Sequence, residues 1–113
     1  MASDCLFCKI IRREIPADFV DESEWGVVIR DIKPEAPVHL LVIPRRHLSS
    51  LLEADDAREL GDLMLLAARV ANAEAIGTSG FRIVANTGAD AGQSVAHLHI
   101  HVMGGRRMSW PPG

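Results

Sequence analysis

The segment HLHIHVM, residues 97–103, puts His97, His99 and His101 on every second residue, with Leu98, Ile100 and Val102 between and after them. An imidazole can ligate a metal, carry a proton or act as a nucleophile, so three in five residues pose a choice of chemistry. In a strand, residues i, i+2 and i+4 share a face. The three rings then line one face, and the aliphatic side chains go to the core. At about 3.3 Å per residue the outer two histidines stand about 13 Å apart at Cα. Zinc draws its histidine nitrogens to about 2.0–2.1 Å, so one metal held by all three is disfavoured. A merely polar sheet face does not call for three imidazoles next to a glycine-rich loop. That loop, GADAGQS at 88–94, offers small residues whose main-chain N–H groups can approach an anion, with side-chain donors from Gln93 and Ser94. A nucleophilic histidine beside an anion cradle suits phosphoryl or nucleotidyl transfer. Imidazole attacks phosphorus, and water cleaves the phosphoramidate that results.

The elements that must position these residues follow from periodicity. Residues 4–13 have Leu6, Phe7, Ile10 and Ile11 at helical spacing and predict a short helix, capped by Ser3 or Asp4 and ended by Pro16. DFVDE (18–22) and WGVVIRDI (25–32) predict two strands of a hairpin. KPEAP (33–37) is a loop, and VHLLVIP (38–44) a third strand. Residues 55–76 carry the longest helical pattern, with Asp56 and Glu59 as a capping box and Gly77 as the stop. FRIVAN (81–86) and HLHIHVM predict the last two strands. The order of one helix, three strands, one helix and two strands predicts an α+β fold, an antiparallel meander with helices packed on it.

Composition narrows the function classes. A chain of 113 residues that is 48% hydrophobic is one domain with a real core, and at 4% aromatic that core is aliphatic. A net charge of −3 argues against a nucleic-acid partner. The sequence starts with no secretory signal pattern and holds no membrane-length apolar run. Two cysteines spaced Cys5-x-x-Cys8 do not make a disulfide framework, so a reduced, cytoplasmic setting is expected, with the pair free to bind metal or do redox work.

HLHIHVM fits a His-φ-His-φ-His-φ-φ pattern. Together with KIIRREIPA, RDIKPEAPVHLLVIPRRH, FRIVANTGADAGQSVAHLHIHVMGGR and WPPG, it resembles the histidine triad superfamily, in its nucleotide-binding, purine nucleoside phosphoramidase branch. The resemblance covers nearly the whole chain. It implies a single domain over 1–113 with a five-stranded antiparallel sheet and two helices. It also implies a homodimer with a continuous sheet, in which the tail 104–113 carries Trp110 toward the partner. The implied reaction is hydrolysis of purine nucleoside 5′-monophosphoramidates (AMP and GMP amides, AMP-lysine-like compounds, acyl-adenylates) through a nucleotidyl-histidine intermediate, with no cofactor needed for catalysis.

The same resemblance assigns residues. His99 is the implied nucleophile, its tautomer fixed by the main-chain carbonyl of His97. His101 contacts phosphate, and His39 buttresses the row. Ser94 helps the leaving amine, Gln93 lies beside the phosphate, and amides near Gly92 and Ser94 bind the anion. Asp31 binds the ribose hydroxyls. Ile32, Ile29, Phe7 and Ile10 wall the purine, and Asn86 adds a polar contact on the phosphate or ribose side. By residue type alone, Asp31 and Asn86 also read as turn residues, and the four apolar residues as core. A structural zinc is implied on Cys5, Cys8, His47 and His97; two small buried residues or a redox pair are the other readings of the cysteines. A dinucleoside polyphosphate hydrolase and a non-catalytic nucleotide-binding or scaffolding protein are the alternative functions.

Overall fold

The β-branched runs of the chain pair into a five-stranded antiparallel sheet. The structure, a computed structural model, describes residues 4–113, so the expected Ser3 cap lies outside the described residues. In chain order the elements are α1 (Leu6–Ile11), β1 (Phe19–Glu22), β2 (Gly26–Arg30), β3 (Val38–Pro44), α2 (Ala57–Ala73), β4 (Phe81–Val84) and β5 (Ile100–Gly104), with a 3-10 turn at Leu51–Glu53. The strand order is β1-β2-β3-β5-β4. The first three strands form a meander, and β5 then inserts between β3 and β4. A plain meander would have left β5 at an edge. Its insertion pairs His101 with Leu41 on one side and with Val84 on the other.

Alternation sorts the strands' side chains onto two faces. Val28, Leu40, Val42, Ile100 and Val102 pack against Leu63, Leu66, Ala67 and Val70 of α2. Val27, Ile29, Leu41 and Ile43 pack against Phe7 and Ile10 of α1 on the opposite face. Because β2 and β3 are covered on both sides, they read as continuous apolar runs. His101, paired with Leu41, faces the α1 side.

Three local expectations are corrected. The α1 cap is Cys5, whose Sγ accepts from the Cys8 N–H, and Asp4 does not take that place. This helix ends before Pro16, where Arg13 adopts a left-handed φ of 63°. Asp56 caps α2 by accepting from the Arg58 N–H, but Glu59 does not close the box. Its side chain is buried and pairs with Arg46 at 2.7 Å. The ladder of β5 starts at Ile100, so His97 and His99 lie on the irregular approach to the strand. That approach is held by Leu98 N–H donating to the Leu48 carbonyl at 2.6 Å. Among the described residues, no helix is long and apolar enough to cross a membrane.

Candidate active site

The approach to β5 carries the histidine row beneath α1. The Phe7 ring lies edge-on to both His97 and His99, with centroids 5.9 and 5.0 Å away, and His99 stacks edge-on against His101 at 5.0 Å. His97 and His99 are buried, and His101 is half-buried. The three rings therefore share one side of the sheet but not one environment.

Main-chain groups fix the protons on two of them. Nδ1 of His99 lies 2.8 Å from the carbonyl oxygen of His97, which can only accept, so Nδ1 carries the proton and Nε2 keeps a lone pair. Nε2 of His97 lies 2.9 Å from the Pro44 carbonyl oxygen, so that ring is protonated at Nε2 and its Nδ1 keeps the lone pair. Burial depresses the pKa of His97, with the neighbouring His47 and His99 acting in the same direction. For His101, burial first and then the charges of His99 and His39 push the pKa down to about 4. It is a neutral imidazole at neutral pH.

A cleft of about 240 Å³ opens over His99 and His101. Its lining includes Phe7, Ile10, Ile29 and Ile32, with Asp31 and Ser94 among its polar residues. Sequence reasoning missed Leu6, Ile15, Pro16, Ala17, Leu41 and Val95 as lining residues; no motif marks them, and only the packing of α1, the segment after it and the loop before β5 onto the sheet brings them together. Asp31 Oδ1 accepts from the Lys33 N–H at 2.8 Å, and Oδ2 stands 3.4 Å from His39 Nε2. His39 is buried, and its Nε2 lies 2.9 Å from His101 Nδ1. Ser94 also lines an adjoining cavity of about 630 Å³ with Cys5, His47 and Ser49.

Four expected residues sit elsewhere or are otherwise engaged. The side chain of Gln93 accepts from the Gly88 N–H and donates to the carbonyls of Ser49 and Val95. Its amide is spent on tying loops together and does not line the cleft. The Gly92 N–H already donates to the Ala89 carbonyl, so it is not a free anion donor. Asn86 lines a separate cavity beside β4 together with Trp110, away from the His99 cleft of its own chain. Trp110 itself is exposed.

A second cluster lies at the buried end of the row. Cys5 Sγ and Cys8 Sγ stand 3.2 and 3.5 Å from His97 Nδ1, and Cys8 Sγ stands 3.3 Å from His47 Nδ1. One ligand atom from each of these four residues lies within 4.8 Å of the others. Two thiols and two imidazoles fit a tetrahedral zinc. The tautomer of His97 fits as well, since its lone pair faces the thiols while Pro44 holds the other nitrogen, the arrangement a ligating histidine requires. Burial and the adjacent Cys5 raise the pKa of the Cys8 thiol, so a metal would displace its proton.

The HIT domain family matches residues 12–108. Over 115 aligned residues, spanning all of both chains, the sequence is 50% identical to an uncharacterized HIT-like protein of Synechococcus elongatus. The fold superposes on a HIT family hydrolase from Legionella pneumophila with a TM-score of 0.93 and 43% identity, over 96% of this chain and 99% of that one. It superposes on a histidine triad nucleotide-binding protein from Candida albicans with a TM-score of 0.84 and 29% identity, over 95% of this chain and 82% of that one.

The low pKa of His101 has a consequence for stability. The folded value of about 4 lies below the ordinary 6.5 of the unfolded chain, so between these values the unfolded state binds more protons. Stability is expected to fall as pH drops through this window and to level off below it. NMR titration should place the His101 midpoint near 4. Urea unfolding across the window should show a shallower pH dependence in His101→Gln than in wild type.

Proposed function

The chain belongs to the HIT family, and from that premise we propose that it is a hydrolase of purine nucleoside 5′-monophosphoramidates acting through a nucleotidyl-His99 intermediate. The observation that carries the reading is the 2.8 Å contact from His99 Nδ1 to the His97 carbonyl. It leaves Nε2 as the ring nitrogen available for attack, in the lining of an apolar cleft that Asp31 also lines.

The purine packs among Phe7, Ile10 and Ile29, with Ile32 at the rim, and the ribose hydroxyls donate to Asp31. His99 Nε2 attacks the α-phosphorus. A P–N bond to the ring forms as the P–N bond to the amine breaks; the leaving nitrogen takes up a solvent proton passed through the Ser94 hydroxyl, and the water that later attacks returns a proton to solvent. The His97 carbonyl stabilises the positive charge that develops on the imidazole, through the hydrogen bond already in place. His101 donates to a non-bridging phosphate oxygen. Ser94, placed between the cleft and the adjoining cavity, offers a hydroxyl to the leaving nitrogen. Water then attacks phosphorus, releases the nucleoside monophosphate and regenerates His99.

Cys5, Cys8, His47 and His97 would hold a structural zinc. When bound, it supplies rigidity and takes no part in the chemistry. Their ligation would fasten α1, through Cys8, to the approach of β5 that carries the reacting histidine. A reduced, cytoplasmic setting suits the two free thiols. A homodimer is supported by β4, an edge strand whose outer main-chain groups have no ladder partner among the described residues. Pairing with a second copy would complete the sheet and bring Trp110 toward the other cleft.

Three experiments test this reading. Rapid-quench intact-mass analysis with adenosine 5′-phosphoramidate should show one added adenylyl group on wild type and none on His99→Ala, whose turnover should fall by about three orders of magnitude or more. Preference for a dinucleoside polyphosphate over the phosphoramidate would move the reading to the other branch. Elemental analysis should give one zinc per chain. Cys8→Ser should lose it and lower Tm by roughly 10 °C, the shift that about 2 kcal/mol produces in a domain of this size. Sedimentation equilibrium should return twice the chain mass; a monomer at micromolar concentration would refute the shared sheet.

A further inference from the structure

Asp31, His39 and His101 form a cluster that, by residue type, looks as ready for a metal as the thiol cluster. One ligand atom from each lies within 4.8 Å of the others. A single main-chain group gives it a different character. The N–H of Glu35 points at His39 Nδ1 from 2.9 Å. A main-chain N–H can only donate, so Nδ1 must present a lone pair. A metal on Nε2 would move the ring proton to Nδ1, directly against the Glu35 N–H. Protonating both nitrogens would do the same. The ring therefore carries its one proton on Nε2.

That proton has two acceptors within reach, His101 Nδ1 at 2.9 Å and Asp31 Oδ2 at 3.4 Å. The nearer takes it, and His101 in turn must carry its own proton on Nε2. The loop that supplies the controlling amide is held from the C-terminal segment. Arg106 Nε donates to the Glu35 carbonyl at 3.0 Å. Gly105, at a φ of +88°, lies so close to Pro37 that a Cβ there would come within 2.9 Å of the proline ring.

We infer that the Glu35 main-chain N–H, braced by Arg106, is a positioning group that sets His101 as an Nε2–H donor through His39. This rests on the proposed reaction, in which that donor meets the substrate phosphate. Three hydrogen bonds run without a gap from Arg106 through the Glu35 residue and His39 to His101. A ribose that donates to Asp31 removes the competing acceptor and leaves the His39 proton to His101, so filling the nucleoside site strengthens the relay.

The test reads ring tautomers directly. Histidine-labelled protein examined by long-range 15N–1H NMR should show His39 and His101 both protonated at Nε2. Glu35→Pro, which removes the N–H along with the side chain and fixes φ, should give mixed tautomers in both rings, while Glu35→Ala, which loses the side chain but keeps the N–H, should preserve them. In Glu35→Pro the Nδ1–H signature of His99 should persist, which shows that the row is still folded. Arg106→Ala should shift the same two rings in the same direction, with recovery in Arg106→Lys. With phosphoramidate substrate, Glu35→Pro should lower kcat roughly tenfold, the scale of one misplaced hydrogen bond, and change KM less than twofold. An Nδ1 proton on His39 in wild type overturns the inference, whether or not the variants fold. So do unchanged tautomers in Glu35→Pro and Arg106→Ala. The NMR readout needs no turnover, so a failure of the proposed reaction would leave this question answerable, and the reverse also holds.

Discussion

The carbonyl and the ring of His97 are used at the same time, and the site depends on both. The carbonyl fixes the proton of His99. The ring, with no exposure to solvent, donates to Pro44 at the end of β3 and turns its free nitrogen to the thiols of the α1 region. A buried imidazole with one unmatched nitrogen would cost stability, so the thiol cluster and the Pro44 carbonyl must both be where they are. His99 is thus oriented by a residue that the end of β3 and the α1 region both hold. A six-residue helix such as α1 is too short to be stable alone. Its place depends on the apolar contacts of Phe7 and Ile10 and on these polar ties.

The sheet keeps folding and chemistry on different faces. The face toward α2 is close-packed and apolar, and it supplies most of the hydrophobic burial. The face toward α1 is apolar near the helix and polar along the row from Asp31 to His101. Inserting β5 between β3 and β4 puts the strand that carries His101 where it is bonded on both sides, which limits its motion. Loops at 88–96 and 33–37 then bring in groups off the ladder: the Ser94 hydroxyl and the Glu35 N–H. Gln93 uses its whole amide to lock the first of these loops, and Arg106 braces the second.

Much of this was legible in the sequence because it follows periodicity. The third strand matches residue for residue, and the second helix needs trimming only at its ends. His99, His101, Asp31 and the apolar residues that the resemblance named line one cleft; the spacing alone points only to the histidines. The misses share one cause. Periodicity reports which side chains face the core and is silent on how main-chain groups are used. Gly92 looked like an anion donor, but its N–H was already bonded. Glu59 looked like half of a capping box, but it was drawn inward by Arg46. Strand alternation was extended back to His97, although the ladder begins three residues later. Glu35 gave no signal at all, because what matters there is an amide that every residue except proline possesses.

That last point decides what the two histidine clusters can be. Composition makes them alike, each with two imidazoles and anionic or thiol partners at similar distances. In one, a carbonyl faces His97 and takes its proton, so the opposite nitrogen is free for a metal. In the other, an N–H faces His39 and takes its lone pair, so the opposite nitrogen must hold a proton. Exchanging a main-chain acceptor for a main-chain donor next to an imidazole converts a metal ligand into a hydrogen-bond relay, with no change of residue type. The backbone of the loop at 33–37 and of the end of β3 therefore carries as much of the site's chemistry as the histidines do.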